Sequence, residues 1–351
     1  MRLTAAGRLI LTAIVLLAIF FGVRSYIAKH PEVVPSSTSA TPPAPGASGS
    51  SGADPAAPPA ADASTATAPG AASSPATTTS ASGAAFTFTP PAPVNGKLKG
   101  VVELGASGFN SFIVRIDPAR RWKMEKAEFG NSLVMENMAS DEDVRKGLKA
   151  YIGSMLDYGV GGRDIHFVVS SGAAKAESTA KIVKGLRTLN YVVNTVTPEQ
   201  EGVLGLKSVL PAEYAAKAFV VDIGSGNTKI SWQQNGARQS VETYGAKYFQ
   251  NGTADEVVAA EVKQKVQQVP AALRGTCFII GGVPFEMAKL GRQGKERFTV
   301  LNGPGTYQLE NAKSKAGLNI YRAVAEATGC QQFVFDWDAN FTIGYLLTLP
   351  Q

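Results

Sequence analysis

The chain has 351 residues, long for one domain, with a formal net charge of +6, only 18% charged residues, and two histidines and two cysteines in all. So little His and Cys excludes most zinc sites, a disulfide framework and any chemistry that draws on spare histidines. The positive charge is diffuse, with no run of Lys and Arg long enough to make a basic patch, which argues against a nucleic-acid partner.

An anchor comes first. The apolar run Leu9–Val23 is flanked by Arg2 and Arg8 on one side and by Arg24 and Lys29 on the other. The run alone is shorter than the roughly 20 residues that cross a bilayer, but Thr4–Tyr26 spans one if Arg8 and Arg24 snorkel. A secretory signal opens in the same way. Arg24-Ser25-Tyr26 offers no small-x-small site after Val23, so residues 1–30 are read as an uncleaved membrane anchor with its amino terminus inside.

Residues 31–94 are read as a disordered linker. Pro35–Ala85 contains only Ala, Pro, Ser, Thr and Gly apart from Asp54 and Asp62, so burial offers nothing to offset the entropy of ordering it. Fifty such residues reach on the order of 40 Å. Stalks of this composition often lie outside the cytoplasm, which places the body there.

The body follows as alternating strands and helices. Gly100–Asp117 predicts a strand, a glycine turn and a second strand at Ser111–Ile116. Asp141–Tyr158 predicts a helix with Val144, Leu148, Ile152 and Leu156 on one stripe. Ile165–Ser170 reads as a strand, Ala176–Leu189 as a helix, Tyr191–Val196 as a strand and Glu199–Val209 as a helix. The opening then repeats: strand Ala218–Asp222, turn Gly224–Gly226, strand Lys229–Gln233. The pattern implies an α/β fold of two similar halves with mixed sheets, 95–212 and 213–351, and a cleft between them.

The two glycine turns carry the chemistry. Glu103-Leu-Gly105-Ala106-Ser107-Gly108-Phe109 and Asp222-Ile-Gly224-Ser225-Gly226-Asn227-Thr228 each set a carboxylate at a strand end before a glycine-containing turn. Glycine lets backbone N–H groups converge on an anion. An acid beside a phosphate makes sense when a divalent cation such as Mg²⁺ lies between them.

These residues resemble the exopolyphosphatase and guanosine-pentaphosphate phosphohydrolase (Ppx/GppA) family, relatives of the apyrases in the actin-like ATPase superfamily. The family's Asp-Leu-Gly-Ser-Asn-Ser-Phe loop is similar to Glu103–Phe109, and its Asp-Ile-Gly-Gly-Gly-Ser-Thr-Glu loop to Asp222–Lys229. Val168–Ser171 followed by Lys175, Glu199–Gly202, Phe278–Val283, Ala316–Ala327, Gln332–Asp336 and Gly344–Leu347 look like further family segments in the right order. The likeness covers Lys97–Leu349.

The resemblance implies two actin-like (ribonuclease H-like) halves and a phosphohydrolase that directs water at a terminal phosphate of polyphosphate or a nucleotide. Glu201 would be the general base, and Glu103 and Asp222 would hold a magnesium ion. Phosphates would be gripped by Gly105, Ala106, Ser107, Gly108, Lys175, Gly224, Ser225, Gly226, Asn227 and Thr228, with Gly281 and Gly282 in the ligand cleft. The partners implied are a phosphorylated small molecule or polyphosphate and the membrane, with a second copy or an envelope protein also open. This sequence departs from the pattern at Glu103 (for Asp), Asn110, Gln200, Lys229 (for Glu), Thr342 and Ile343. A binder with a degenerate site and an actin-like membrane scaffold are therefore carried as alternatives. Cys277 and Cys330 could pair, His166 reads as structural, and Asp336 and Asp338 read as surface or cleft acids.

Overall fold

The computed structural model describes residues 86–105, 108–129, 141–174 and 177–350. The anchor, the linker up to residue 85, and the loop residues Ala106, Ser107 and Lys175 lie outside the described residues. Among those described, no helix is long and apolar enough to cross a membrane.

Two mixed sheets organise the body. The first contains β1 (Lys97–Gly105), β2 (Gly108–Ile116), β3 (Trp122–Phe129), β4 (Ile165–Val169) and β5 (Val193–Thr195) in the order β3-β2-β1-β4-β5. The second contains β6 (Ala218–Ile223), β7 (Asn227–Gln234), β8 (Ala237–Tyr244), β9 (Thr276–Gly281), β10 (Phe298–Leu301) and β11 (Gln332–Asp336) in the order β10-β11-β9-β6-β7-β8. Each half opens with an antiparallel three-strand meander, and its first strand then pairs in parallel with a later one, β1 with β4 and β6 with β9. This is the repeated α/β architecture expected from the two turns.

Helices α1 (Asp141–Asp157) and α2 (Glu177–Thr188) accompany the first sheet, and α3 (Pro198–Val209) links the halves. The second half adds α4 (Asp255–Val266), α5 (Gly282–Gly291), α6 (Ala312–Thr328) and α7 (Phe341–Leu346). On α1 the buried stripe is Leu148, Ile152 and Met155. Leu156, expected on that stripe, is 45% exposed, because Met155 is the residue one turn on from Ile152 that meets the core.

Three apolar clusters hold the fold. One joins α1 and α2 to β1 and β4 through Leu148, Phe167, Ile182 and Leu186. A second packs α4, α5 and α6 on β6, β7 and β9 through Phe219, Ile279, Val262, Met287 and Tyr321. The third lies between the halves and contains Val101 and Val168 of one sheet, Val220 and Phe278 of the other, Leu206 of α3 and Ile343 of α7. Burying a side chain of this size stabilises by roughly 1.5–3 kcal/mol, so this shared layer fixes the halves against each other.

The body begins earlier than the linker composition suggests. Phe86 packs edge-on against Phe278 and Phe298 at 5.6 and 5.1 Å between ring centres, and Val94 N–H donates to Asp117 Oδ2 at 3.0 Å. Residues 86–94, counted above as linker, therefore lie on the folded surface. Two aromatic rings outweigh the Pro and Thr around them.

Candidate active-site cleft

Glu103 lies near the end of β1 directly opposite Asn110 on β2, and Asn110 Nδ2 donates to Glu103 Oε2 at 3.1 Å. Asp222, near the end of β6, lies directly opposite Lys229 on β7. The third acid comes from α3. Its start is fixed by a capping box in which the Thr197 hydroxyl accepts from Gln200 N–H at 3.2 Å and Gln200 Oε1 accepts from Thr197 N–H at 3.0 Å. Pro198 follows in the first turn, where its missing N–H costs nothing. The next turn then carries Glu201 inward to 4% exposure. Gly202 lets α3 approach the second sheet: a Cβ there would lie 1.9 Å from Ser240 Oγ.

Glu103, Glu201 and Asp222 line a single cleft of about 460 Å³ between the halves, together with Gly105, Gly224–Asn227, Gly281 and Gly282. The acids of the two hairpins thus line one space. Gly281 has φ 109°, and a Cβ there would stand 2.3 Å from the carbonyl oxygen of Ile223, so only glycine fits this bend from β9 into α5.

The electrostatics centre on a buried ion pair. Lys229 Nζ donates to Glu201 Oε1, and Lys229 is only 3% exposed. Glu201 Oε2 accepts from Ser171 N–H at 2.8 Å and from Ser171 Oγ at 2.5 Å. Asn227 Nδ2 donates to Ser171 Oγ at 3.1 Å and to Glu242 Oε2 at 3.1 Å. This chain ties the first half to the second, and the backbones also close in: a Cβ on Gly226 would lie 3.2 Å from Gly172 Cα.

One ammonium does not neutralise three acids. Burial, with the charges of Glu201 and Asp222 adding to it, pushes Glu103 up to about 7 against the lowering effect of the Asn110 hydrogen bond and Lys229. Burial also pushes Asp222 up to about 6, where Lys229 lowers it and Glu201 raises it. Asp338 at the cleft wall is raised by burial and by Asp336. Asp336 itself is held by Arg297, whose Nη2 and Nε donate at 2.9 and 3.1 Å.

Where a magnesium ion was expected between Glu103 and Asp222, the ammonium of Lys229 stands opposite Asp222 and bound to Glu201. Among the described residues no three of His, Cys, Asp and Glu are placed to share a metal ion, and a cation of the protein's own, Lys229, stands among these acids.

Two further expectations change. Thr228, expected to offer its hydroxyl to phosphate, is fully buried away from the cleft, and its Oγ1 has no hydrogen-bond partner among the described residues. The pleat explains this: Asn227 and Lys229 face the cleft, so Thr228 joins Ile230 on the opposite face. Cys277 and Cys330 are free thiols.

Sequence reasoning missed Ser171 as a partner of Glu201, Lys229 as its counter-charge, and Lys313. Lys313 lines the cleft beside the start of α5, its Nζ 3.4 Å from where a Cβ on Gly282 would lie. Helix α5 has no side chain capping its N-terminus, so its first N–H groups and Lys313 make the positive end of the cleft. Phe285, Phe335 and Trp337 form an aromatic wall beside it, with the Arg292 guanidinium 3.8 Å from the Trp337 ring centre.

No protein-family model matches the chain, and no curated protein matches it. Solved structures do. The Aquifex aeolicus PPX-GPPA enzyme superposes with a TM-score of 0.56 at 15% identity, covering 72% of this chain and 99% of the other. An exopolyphosphatase from Cytophaga hutchinsonii gives a TM-score of 0.56 at 13% identity over 72% of this chain and 97% of the other. An exopolyphosphatase-like protein gives a TM-score of 0.53 at 15% identity over 73% and 98%. The body of this protein therefore has the Ppx/GppA fold.

Proposed function

We propose that this protein is a phosphohydrolase-like receptor that binds a phosphorylated small molecule or a polyphosphate end in the cleft and does not hydrolyse it. One observation carries the reading: Glu201, the acid at the position of the expected base, has both oxygens engaged, by Lys229 and by Ser171. A carboxylate offers about four lone-pair directions, and three are filled. The direction left open is on Oε1, the oxygen that Lys229 already holds, so Glu201 offers an attacking water little of what a general base must present. Here Glu201 serves instead as the keystone of the polar chain that joins the two halves.

Part of the same cleft suits an oxyanion. The N-terminus of α5, which no side chain caps, borders the space at Gly281 and Gly282 with the positive end of its dipole, and Lys313 adds a full charge. The turn Gly224–Asn227 forms the adjoining wall. Residues 1–30 would hold this receptor at a membrane, with the linker letting the body range outside the cytoplasm.

The test is a paired measurement on the full chain with polyphosphate, GTP and ATP. We expect a ligand to raise the melting temperature by several degrees, since saturation at 100 times Kd contributes about 2.7 kcal/mol, with no phosphate released above the buffer rate. Phosphate release that disappears in Glu201→Ala would overturn the reading and restore Glu201 as a base.

A further inference from the structure

The acid cluster poses a question that the phosphate reading leaves open: what neutralises it. Three carboxylates from three different elements, β1, β6 and α3, face one cleft. A buried charge is costly unless it is paired, so such a cluster calls for a cation. Lys229 is built to be that cation. It rises from the strand position opposite Asp222, donates to Glu201, and sits 3.6 Å from where a Cβ on Gly224 would lie. Its charge acts on Glu103 and on Asp222 as well. An ammonium in that place repels a second cation, and it uses the Glu201 oxygen that a metal would need.

We propose that Lys229 is the resident cation of this cleft, standing where a divalent metal would otherwise be held, so that ligand binding here is independent of metal. Removing the ammonium leaves Glu103, Glu201 and Asp222 lining one cleft without their counter-charge, hard oxygen donors that can draw together on Mg²⁺ or Mn²⁺.

The inference rests on the cleft being the ligand site, but it fails separately from the proposed function, because Mn²⁺ alone probes the acids with no phosphate ligand present. The experiment titrates the full chain with Mn²⁺, following free ion by electron paramagnetic resonance, and records melting temperature with and without Mg²⁺. Wild type is expected to show no saturable Mn²⁺ and no Mg²⁺ shift. Lys229→Gln is expected to gain one saturable site, about tenfold or more tighter than any wild-type signal, together with a Mg²⁺-dependent rise in melting temperature. Both gains should vanish in Lys229→Gln/Glu201→Gln. Lys229→Arg, which keeps the charge, should stay blind to both ions. Saturable Mn²⁺ binding to wild type that is lost in Glu103→Gln overturns the proposal even if Lys229→Gln fails to fold, and so does a well-folded Lys229→Gln that gains no site.

Discussion

Asp222 and Lys229 face each other across β6 and β7 at the same step that Glu103 and Asn110 occupy across β1 and β2. Each half thus pairs the acid of its first strand with a polar residue on its second, and the halves differ in what that residue is. Asn110 gives its acid a neutral hydrogen bond, whereas Lys229 reaches past its own acid to Glu201 on the linking helix. The asymmetry turns a duplicated hairpin into a charge-bearing seam.

Breaking the seam should be costly, and removing it whole should be cheaper. Lys229→Met leaves Glu201 buried with only Ser171 as partner, and loss of one member of a buried pair typically costs about 3–5 kcal/mol. Glu201→Gln strands the ammonium with Asp222 and Glu103, a smaller loss. In the double variant Lys229→Met/Glu201→Gln the two losses should fall short of additive by at least about 1 kcal/mol. Urea denaturation of the four proteins in the cycle measures it, and strict additivity would mean that the two side chains are not coupled.

The raised acids give stability a particular dependence on pH. Burial raises Glu103 from 4.5 to about 7 and Asp222 from 3.8 to about 6, so between these values the folded state holds more protons than the unfolded chain. Stability therefore falls as pH rises. The contribution is fully present below the unfolded values near pH 4 and is lost as pH climbs through 6 and 7. Melting temperature should be higher at pH 5.5 than at pH 8, the reverse of a protein whose acids are stabilised by salt bridges. Glu103→Gln should flatten most of the slope, and an unchanged slope in that variant would assign the effect elsewhere.

The route into the cleft depends on one backbone bend. At Gly281 the chain turns from β9 into α5 with φ 109°, tight against Ile223. Gly281→Ala asks for a Cβ 2.3 Å from a carbonyl oxygen on a neighbouring core strand, which neither strand can yield cheaply. We expect a loss on the order of 2–3 kcal/mol and, in whatever remains folded, weaker phosphate-ligand binding, because the start of α5 would shift. Retention of both stability and ligand-induced stabilisation would show that the bend is not strained.

Much of this was legible in the residues, and the rest was hidden for identifiable reasons. The two hairpins could be read because each couples an apolar strand to an acid and a glycine turn, and the repeat of that coupling points to two halves. Strands β3 and β8 went unread because both lie at the outer edge of their meander, with a single buried residue each and a mixture of Lys, Glu, Arg and Gln that carries no clean alternation. Lys229 was visible as a reversed charge, but its partner is Glu201, 28 residues away and on a different element, so only the packing of α3 reveals the pair. Lys313 carried no local signal at all. It reaches the cleft because α6 packs beside α5, a tertiary fact.

Thr228 offers the sharpest separation between a resemblance and the geometry of this chain. In the family pattern its hydroxyl belongs to the phosphate loop, yet here the strand pleat turns it away from the cleft into the layer beneath α4 and α6, with Oγ1 unpartnered. An unsatisfied buried hydroxyl costs about 1–3 kcal/mol, and valine has nearly the same shape without it. Thr228→Val should therefore stabilise the protein by about 1 kcal/mol and leave ligand-induced stabilisation unchanged. If the hydroxyl gripped phosphate, the same substitution would instead weaken binding by a comparable amount, so thermal denaturation with and without polyphosphate decides between the two. The sign of the change in the absence of ligand tests the burial, and the size of the ligand shift tests the direction in which the side chain faces.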